Sequence, residues 1–420
     1  MAPPADGSVH GAFRRWAGDP PLFVALALIS AFGIAMIYSA GVLNVPSSVT
    51  QGAWIRQAVW FGLALVAFTF VRRIPPRWLE WFAVPAYVMG VLLLAATLVV
   101  GTGAGTAAGT KSFLQFGPVR FQPAELAKIA TILMLARMLG TREEAPRYLR
   151  ELVPAAVVAA VPLGLVVLQP DLGTALAFVG ILFATLFWAG TPWWMLLLLA
   201  SPGVGLILTF DTRFWSVYMV AVVVFLYAFR YRIYLVESVA VVLGNLAAGT
   251  VAEPLWNSLA DYQKDRLLVF LDPTADPLGA GYHLIQSKVA IGSGGFVGKG
   301  FTLGTQKRLD FLPEQHTDFI FSVIGEELGF VGTTLLLLAF AFVLLRLARL
   351  AEDRAPTAFA GVVIFGIFGS WLVHIFVNVG MTIGVVPVTG IPLPFVSYGG
   401  TFLLMSWLSV AVALRALEED

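Results

Sequence analysis

Residues 22–43 read LFVALALISAFGIAMIYSAGVL, a run of 22 amino acids without a charged side chain. About 20 such residues make an α-helix long enough to cross the hydrocarbon core of a lipid bilayer. The run therefore predicts a transmembrane helix. Eleven further apolar segments follow it, at residues 54–71, 80–101, 123–140, 152–169, 172–190, 193–210, 214–230, 233–253, 318–346, 356–383 and 396–416.

The composition of the whole chain agrees with this prediction. Of its 420 residues, 59% are hydrophobic and only 12% are charged, whereas soluble domains carry about 25% charged residues. So few charges cannot cover the surface of a soluble protein of this length, which excludes a soluble enzyme and a disordered chain. We therefore expect an all-α polytopic membrane protein, a bundle of 10–12 transmembrane helices.

Net charge and cysteine content exclude further classes. The net charge of +1 gives no indication of nucleic-acid binding. The chain contains no cysteine, so disulfides, thiolate nucleophiles and cysteine-based metal sites are excluded. Any catalytic chemistry must therefore come from carboxylates, histidines, basic side chains and the backbone.

Basic residues are distributed unequally among the loops. With the N-terminus in the cytoplasm, the inside segments hold fourteen arginines, while the short outside loops hold only Arg56, Lys111, Arg120 and Arg213. Cytoplasmic loops carry the excess of Lys and Arg in membrane proteins. We therefore expect both termini in the cytoplasm, with residues 1–21 as a cytoplasmic tail and 22–420 as one integral-membrane domain.

Most of the polar residues outside the apolar runs lie in segments 102–122, 254–317 and 384–400. The predicted orientation places all three on the extracytoplasmic side. Long loops without regular structure are usually functional or disordered. The large extracytoplasmic loop 254–317 is too rich in glycine, aromatic and aliphatic residues to be disordered, so we expect the functional site on this side.

The glycine-rich stretch GSGGFVGKG at residues 292–300 invites comparison with a phosphate-binding loop. That motif requires a glycine at position 293 and a serine or threonine at position 300. Ser293 and Gly300 stand there instead. The stretch therefore predicts tight turns at the membrane surface, with a backbone cradle for a phosphate-bearing lipid as the alternative.

Acidic residues are concentrated just before the apolar run that begins near residue 318. The stretch DFLPEQHTD places Asp310, Glu314, His316 and Asp318 within nine residues. Asp318 alone could be a helix cap, since aspartate is a common cap. Three carboxylates and an imidazole near the lipid headgroups point instead to general-base or metal chemistry.

Charged residues inside predicted spans are costly in lipid and are candidates for function. Glu125 and Lys128 lie three residues apart, so they share a helix face and can pair. Asp171 stands at the outer end of a span. Glu326 and Glu327 form either an internal hydrogen-bonding pair that orders the bundle or part of a functional site. For His374 we expect a satisfied histidine of the bundle, because no second histidine lies three or four residues away.

Four motifs together resemble the signature of a known family. They are FQPAELAK at 121–128, QPDLGT at 169–174, FLPEQHTDFIFSVIGEELG at 311–329 and VTGIPLPFVSYGG at 388–400. In this order they resemble the SEDS family (shape, elongation, division and sporulation), and residues 303–306 and Gln315 resemble its elongation branch. The family is usually counted as ten spans. The surplus here lies at 214–253, a possible extra helical hairpin.

The resemblance implies a peptidoglycan glycosyltransferase of the bacterial cytoplasmic membrane. Such enzymes polymerise lipid II, the undecaprenyl-pyrophosphate-linked disaccharide pentapeptide, into β-1,4 glycan strands at the outer face of the membrane. The resemblance also implies a class B penicillin-binding protein as the partner that crosslinks the product. Asp318 matches the carboxylate on which polymerisation depends in the family.

The expected reaction needs one base and a stabilised leaving group. We assign Asp318 as the general base for the acceptor hydroxyl, in an inverting transfer. A divalent cation, Mg²⁺ or Mn²⁺, held by Glu314 and Asp318 and helped by Asp310, could assist; Asp318 as a metal ligand rather than a base stays open. The basic candidates to balance the pyrophosphate are Lys111, Arg120, Lys128, Arg266 and Lys288, and the other substrate-binding candidates are Glu125, Asp171, His316 and Ser397.

Two other classes of function stay open from the sequence. A protein with Glu, Lys and Asp inside twelve spans could be a flippase or transporter of a lipid-linked precursor. A scaffold that recruits the transpeptidase is a third reading, although it leaves the extracytoplasmic carboxylates without a role.

Overall fold

The computed structural model describes residues 9–44, 51–103, 111–117, 119–142, 144–229, 232–259, 261–272, 276, 279, 281–309, 311 and 314–418. Within these ranges the chain forms sixteen α-helices and one small hairpin of two antiparallel strands. In chain order the elements are α1 (Val9–Ala17), α2 (Pro20–Ala40), α3 (Ala53–Val71), α4 (Pro76–Val100), β1 (Leu114–Phe116), β2 (Val119–Phe121), α5 (Pro123–Gly140), α6 (Val153–Leu168), α7 (Leu172–Trp188), α8 (Trp193–Leu208), α9 (Thr212–Ala228), α10 (Leu235–Ser258), α11 (Asp261–Leu271), α12 (Tyr282–Gly294), α13 (Thr305–Arg308), α14 (Ile320–Arg354), α15 (Ala358–Ile383) and α16 (Gly400–Ala416).

Each of the twelve predicted spans is a helix. By length and composition, seven helices can cross a membrane, namely α2, α3, α4, α6 with the turn before it, α10, α14 and α15. Four shorter apolar helices are α7, α8, α9 and α16, and α5 carries Glu125 and Lys128. The chain is a multi-pass membrane protein, and the prediction of an all-α polytopic bundle is confirmed.

Helix α15 lies at the centre of the bundle, where it packs against α5, α7, α14 and α16. The predicted hairpin at 214–253 consists of two real helices, α9 and α10, and both pack on α8. This three-helix group joins the rest of the bundle through contacts between α7 and α8. It therefore lies at the periphery, away from the motifs that belong to α5, α7, α14 and the segment before α16.

The long helix α14 is broken at Gly329, whose φ of 64° and ψ of −160° are not helical. The glycine-rich segment 295–300 fills the break. Phe330 N donates to Gly295 O at 2.9 Å, and Gly300 N donates to Glu327 O at 2.9 Å. A side chain at Gly298 would overlap the carbonyl group of Glu327.

The glycine-rich segment is thus a set of tight turns, as the sequence predicts. The amide groups of residues 298, 299 and 300 all donate to carbonyl groups of the chain. These groups are therefore occupied, which argues against the alternative of a backbone cradle for a lipid phosphate at this segment.

Two buried carboxylates at the start of α14 fasten the rest of this region. Glu326 accepts from Lys299 Nζ at 2.7 Å and from Thr305 N at 2.7 Å. Glu327 pairs with the fully buried Lys307 and accepts from the hydroxyl of Ser39 at the end of α2. Both glutamates are therefore internal hydrogen-bonding groups that join residues 299–307 to α2 and α14.

Ionic contacts also join the opposite end of α14 to the start of α2. Asp19 caps α2 by accepting from Leu22 N at 3.1 Å. Its carboxylate also binds Arg346 at 2.6 Å and Arg354 at 3.3 Å. At 1.5 Å per residue, Arg346 lies about 24 Å along the helix from Phe330, on the far side of the break from Asp318. The charged cluster and the segment that carries Asp318 are thus at opposite ends of the bundle.

Candidate active site

A cavity of about 230 Å³ lies at the end of the bundle where α14 begins. Helix α11 forms one wall, α12 forms a second, and the segment just before α14 forms the third. The residues that line it are Tyr262, Asp265, Arg266, Val269, Phe270, Gly279, His283, Leu284, Glu314, Asp318, Phe319 and Val388. The cavity thus combines three carboxylates, one guanidinium, one imidazole and several aromatic rings.

Asp318 faces this cavity from the segment before the spanning helix. The cap residue before α14 is Phe319, and it makes no side-chain capping hydrogen bond. The interpretation of Asp318 as a helix cap is therefore not supported. Its carboxylate is instead available to the cavity, where it lies beside Glu314 and Arg266.

The pKa of Asp318 is raised to about 7, and burial is the largest cause. The negative charge of Glu314 also raises this pKa, while the guanidinium of Arg266 acts in the opposite direction. A carboxyl group with a pKa near neutrality can accept and release a proton at physiological pH, as a general base must. The cavity therefore gives Asp318 the property that the proposed role requires.

Helix α11 brings five side chains to the cavity because their spacing is helical. Asp265, Arg266, Val269 and Phe270 follow Tyr262 by three, four, seven and eight residues, so all five lie on one face. The guanidinium of Arg266 lies 5.5 Å from the centre of the Tyr262 ring. This face places one cation opposite the carboxylates of the segment before α14.

Glu314 holds a tight turn that presents Asp318. Its φ of 48° lies in the left-handed region, and its carbonyl accepts from Thr317 N at 3.1 Å. The hydroxyl of Thr317 also donates to Glu314 Oε2 at 3.1 Å. Since Arg266, Glu314 and Asp318 all line the cavity, three of the residues predicted from sequence lie together.

His283 is a cavity residue that the sequence reasoning did not assign to the site. Its ring stacks on Phe319 with centroids 6.0 Å apart. Burial lowers the pKa of His283, and the positive charge of Arg266 lowers it further. The imidazole is therefore neutral at pH 7, a form that can both donate and accept a hydrogen bond.

The carboxylates of the cavity fit Mg²⁺ or Mn²⁺ only in part. In the described ranges, no three metal-ligating side chains are close enough to hold an ion by themselves. Mg²⁺ is commonly held by one or two carboxylates together with substrate phosphates, and Glu314 and Asp318 could supply that pair. Asp310, the predicted third carboxylate, lies outside the described residues.

Glu125 and Lys128 form a buried ion pair on α5, with Lys128 Nζ 2.9 Å from Glu125 Oε1. Lys128 Nζ also lies 2.7 Å from His374 Nε2, while His374 Nδ1 lies 3.0 Å from Pro392 O. Because a carbonyl oxygen can only accept, Nδ1 carries the proton and Nε2 accepts from Lys128. The expected satisfied histidine of the bundle is confirmed. Glu125 and Lys128 do not line the cavity of Asp318.

Asp171 caps α7, accepting from Thr174 N at 3.0 Å. It also accepts from Gln122 Nε2 at 3.1 Å. This bond joins the motif that begins α5 to the motif that begins α7. The negative charge of Asp171 is near enough to raise the pKa of Asp318 slightly, although Asp171 is not part of the cavity wall.

Three of the predicted basic residues lie away from the cavity. Lys111 is exposed and lies 3.5 Å from Leu98 O at the end of α4. Arg120 is exposed on β2. Lys288 is exposed on α12 and lies against Gly384. The structure therefore brings only Arg266, of the five basic candidates, into the lining of the cavity.

His316 and Ser397 connect the segment of Asp318 to the segment before α16. Tyr398 N donates to His316 O at 2.9 Å. The hydroxyl of the buried Ser397 donates to Thr317 O at 2.7 Å and accepts from Leu393 N at 2.8 Å. The hydroxyl of Ser397 therefore bonds to backbone groups next to Asp318 and does not line the cavity.

The sequence reasoning missed Tyr262, Asp265, His283 and Asn378 as parts of this region. Asn378 donates to the backbone oxygens of Asp318 and Ile391. The helical spacing of Tyr262, Asp265 and Arg266 was a signal that could have found the first two. His283 and Asn378 stand alone in sequence, so only the tertiary structure reveals their position.

Comparisons with known proteins identify the family. The sequence model of the family described as "Cell cycle protein", FtsW/RodA/SpoVE, matches residues 20–220 and 209–420. The peptidoglycan glycosyltransferase MrdB of Escherichia coli (strain K12) is 36% identical over 387 residues, which cover 92% of this chain and 90% of MrdB.

Solved structures show the same fold. A chain of a peptidoglycan synthase complex that coordinates polymerization and crosslinking is 32% identical, with a TM-score of 0.67 over 94% of this chain and 97% of that one. The rod shape determining protein RodA of Thermus thermophilus is 28% identical, with a TM-score of 0.61 over 95% and 96% of the two chains. The chain therefore belongs to the FtsW/RodA/SpoVE family of cell cycle proteins, the SEDS family that its motifs resemble.

Proposed function

We propose that this chain is a peptidoglycan glycosyltransferase that polymerises lipid II into β-1,4 glycan strands during cell elongation. The observation that carries the proposal is the placement of Asp318, a carboxyl group with a pKa of about 7, in the wall of a cavity at one end of a membrane-spanning bundle. The name of MrdB, a peptidoglycan glycosyltransferase, supports the reaction class. The rod-shape name of the similar RodA supports the role in elongation.

In the proposed reaction, the Asp318 carboxylate accepts the proton of the acceptor 4-hydroxyl. The hydroxyl oxygen then bonds to the anomeric carbon of the donor, whose bond to the lipid pyrophosphate breaks. A pyrophosphate is a good anionic leaving group and needs charge stabilisation rather than a proton. One carboxylate therefore suffices, in contrast to the two that glycoside hydrolases use. Attack opposite the leaving group inverts an α-linked donor to a β-linked product.

The charges of the cavity favour the acceptor sugar as its occupant. Asp265, Glu314 and Asp318 outnumber Arg266, so the wall repels a pyrophosphate more than it repels an uncharged sugar. Tyr262, Phe270 and Phe319 supply apolar ring surface. The donor pyrophosphate would therefore approach from outside this wall, with Arg266 as the cavity residue able to contact it.

A divalent cation is part of the proposal. Glu314 would hold it, and it would neutralise charge on the leaving pyrophosphate. Asp318 as a second ligand of the cation is the alternative to its role as the base. The proposed location is the bacterial cytoplasmic membrane, with both termini in the cytoplasm and the cavity on the outer face. The proposed partner is a class B penicillin-binding protein, which the synthase complex formed by a similar chain supports.

The alternative function is a flippase for a lipid-linked precursor. Its best candidate residues are the buried charges Glu125 and Lys128, next to His374. The void beside them measures about 20 Å³, which holds about one water molecule. A void of that size does not favour passage of a sugar headgroup through this part of the bundle.

The test is gel-resolved polymerisation of labelled lipid II by the purified chain with its penicillin-binding partner, with and without divalent cation. We expect polymer from the natural sequence and none from Asp318→Asn. Glu253→Gln, which changes an exposed carboxylate on α10, is the matched control and should polymerise normally. Normal polymer from Asp318→Asn, at equal protein level, would remove Asp318 from the mechanism. Lipid II movement across liposomes without polymer would favour the flippase.

A further inference from the structure

The backbone of Asp318 is held by a side chain from the central helix of the bundle. Asn378 on α15 is fully buried. Its Nδ2 donates to Asp318 O at 3.0 Å and to Ile391 O at 2.7 Å. One amide group therefore joins the segment before α14 to the segment before α16.

The two joined segments meet beside the carboxylate of Asp318. Gly390, with a φ of 73°, follows the motif residue Thr389, and a Cβ built on it would lie 3.1 Å from Asp318 Oδ2. The backbone at Gly390 is thus one wall of the space that the carboxylate occupies. A shift of Ile391 away from Asp318 would open that wall.

The segment 391–393 is also held by hydrogen bonds from two other side chains. His374, one helical turn before Asn378, donates to Pro392 O. Ser397 accepts from Leu393 N and donates to Thr317 O. Of His374, Ser397 and Asn378, it is Asn378 that bonds directly both to Asp318 and to Ile391, the residue after Gly390.

We propose that Asn378 is a positioning residue for the reaction, which keeps the carboxylate of Asp318 in the cavity against Gly390 by tying its backbone to Ile391. The proposal rests on the function proposed above. Both partners are carbonyl oxygens, so the side chain must present its NH₂ group to them. An aspartate cannot donate in this way, and a leucine of similar shape has no polar group.

The experiment compares two equally buried asparagines. Asn245 on α10 is also fully buried, and its Nδ2 donates to Ser201 Oγ at 2.9 Å and Val241 O at 2.9 Å. It lies in the peripheral three-helix group, so Asn245→Leu is the matched control for Asn378→Leu. Both variants leave buried acceptors without a donor, and both should lower the melting temperature.

Only Asn378→Leu should change the chemistry. A misplacement of about 1 Å in a catalytic group can reduce the rate about 100-fold. We expect a loss of that order in the maximal polymerisation rate with the lipid II concentration at half-maximal rate unchanged. Asn245→Leu should keep the rate of the natural sequence once the amount of folded protein is matched.

The outcomes separate this inference from the proposed function. If Asn378→Leu matches Asn245→Leu in both the maximal rate and the lipid II concentration at half-maximal rate, Asn378 has only a structural role and the inference is wrong. If Asn378→Leu does not fold, Asn378→Ala, which removes the same donor without adding bulk, gives the same two readouts. If Asp318→Asn polymerises normally, the proposed mechanism fails and this inference fails with it, whatever the Asn378 variants do.

Discussion

The pKa of Asp318 depends on one neighbouring carboxylate that can be changed separately. After burial, the negative charge of Glu314 is the next largest cause that raises this pKa to about 7. In Glu314→Gln the repulsion is lost, so Asp318 should ionise at lower pH. We expect the acid limb of the polymerisation rate to move to lower pH, measured over pH 5–9.

Glu314→Gln also distinguishes two roles of Glu314, an electrostatic effect on Asp318 and the binding of a divalent cation. A metal ligand would lose divalent-cation affinity when it becomes an amide, so the cation concentration for half-maximal rate should rise in Glu314→Gln. An acid limb that does not move would show that Glu314 has no electrostatic effect on the base. Glu253→Gln, exposed on α10, controls for the loss of a carboxylate elsewhere.

Ionisation of Asp318 also has a cost in stability. Its pKa in the folded chain lies above the usual value of 3.8, so the carboxyl group favours folding most when it is protonated. That contribution is fully present below pH 3.8 and is lost as the pH rises through about 7. Asp318→Asn stays neutral at every pH, so it should lose less stability than the natural sequence as the pH rises from 3.8 to about 7, measured by thermal unfolding in detergent.

The buried pair of Glu125 and Lys128 predicts strong coupling between two residues. Removal of one partner of a buried ion pair costs about 3–5 kcal/mol, because the other charge is left unpaired. We expect Glu125→Gln and Lys128→Met each to lower thermal stability and polymerisation. The double variant should lose less than the sum of the two.

The coupling between Glu125 and Lys128 also tests whether this ion pair affects the segment that carries Asp318. Lys128 donates to His374, which holds Pro392 in the segment behind Asp318. If the single and double variants are strictly additive, the pair does not act as a unit. Arg147 and Glu144, an exposed ion pair at 2.9 Å, offer a control pair whose neutralisation should have little effect.

At the scale of elements, the break in α14 depends on glycine where the chain has no room for a side chain. Gly298 has a φ of 80°, and a Cβ there would overlap the carbonyl group of Glu327. Gly298→Ala should therefore destabilise the fold by at least about 1–3 kcal/mol, the range for strained backbone. The measurement is the melting temperature in detergent, together with the polymerisation rate.

A second glycine six residues earlier is the matched control. Gly292 lies in α12, and a Cβ built there would contact nothing within 4 Å. Gly292→Ala should leave stability unchanged or raise it by up to about 1 kcal/mol, because alanine has the higher helix propensity. Equal loss in both variants would contradict the assignment of residues 295–300 to the break in α14.

The elements could be predicted where bilayer physics alone decides them. In lipid, an apolar run can satisfy its backbone groups only as a helix, so all twelve segments, including 123–140 with its buried ion pair, are helices. The loop 254–317 is different. Helix α11, DYQKDRLLVFL, is short and mixes charged with apolar residues, so no apolar run marks it.

The site was predictable only as far as local patterns extend. Asp318 and Glu314 were found because they lie four residues apart in one motif. Lys288 was placed with them, but it lies against Gly384 and does not line the cavity. Pairings such as Asn378 with Asp318, 60 residues apart, are set by packing and leave no local trace in the sequence.

At the scale of the whole molecule, the two ends of the bundle differ in chemistry. One end carries the cavity, and the other carries the ion pairs of Asp19 with Arg346 and Arg354. Arg72, Arg415 and Glu418 add a second ionic cluster among segments assigned to the cytoplasm. Several of the arginines from which the orientation is predicted therefore also form ion pairs between helix ends. They stabilise the fold in addition to indicating which loops are cytoplasmic.

This arrangement predicts which surfaces an impermeant reagent can reach. The chain has no cysteine, so a single introduced cysteine reports one position. Gln115 is exposed on β1, and Glu352 is exposed near the end of α14. With the cavity on the outer face, a membrane-impermeant maleimide added to spheroplasts should label Gln115→Cys directly and Glu352→Cys only after permeabilisation. The natural sequence, which cannot be labelled, is the control for both. The reverse pattern would place Asp318 in the cytoplasm, where it could not polymerise lipid II at the outer face, and would contradict the proposed function at its most basic point.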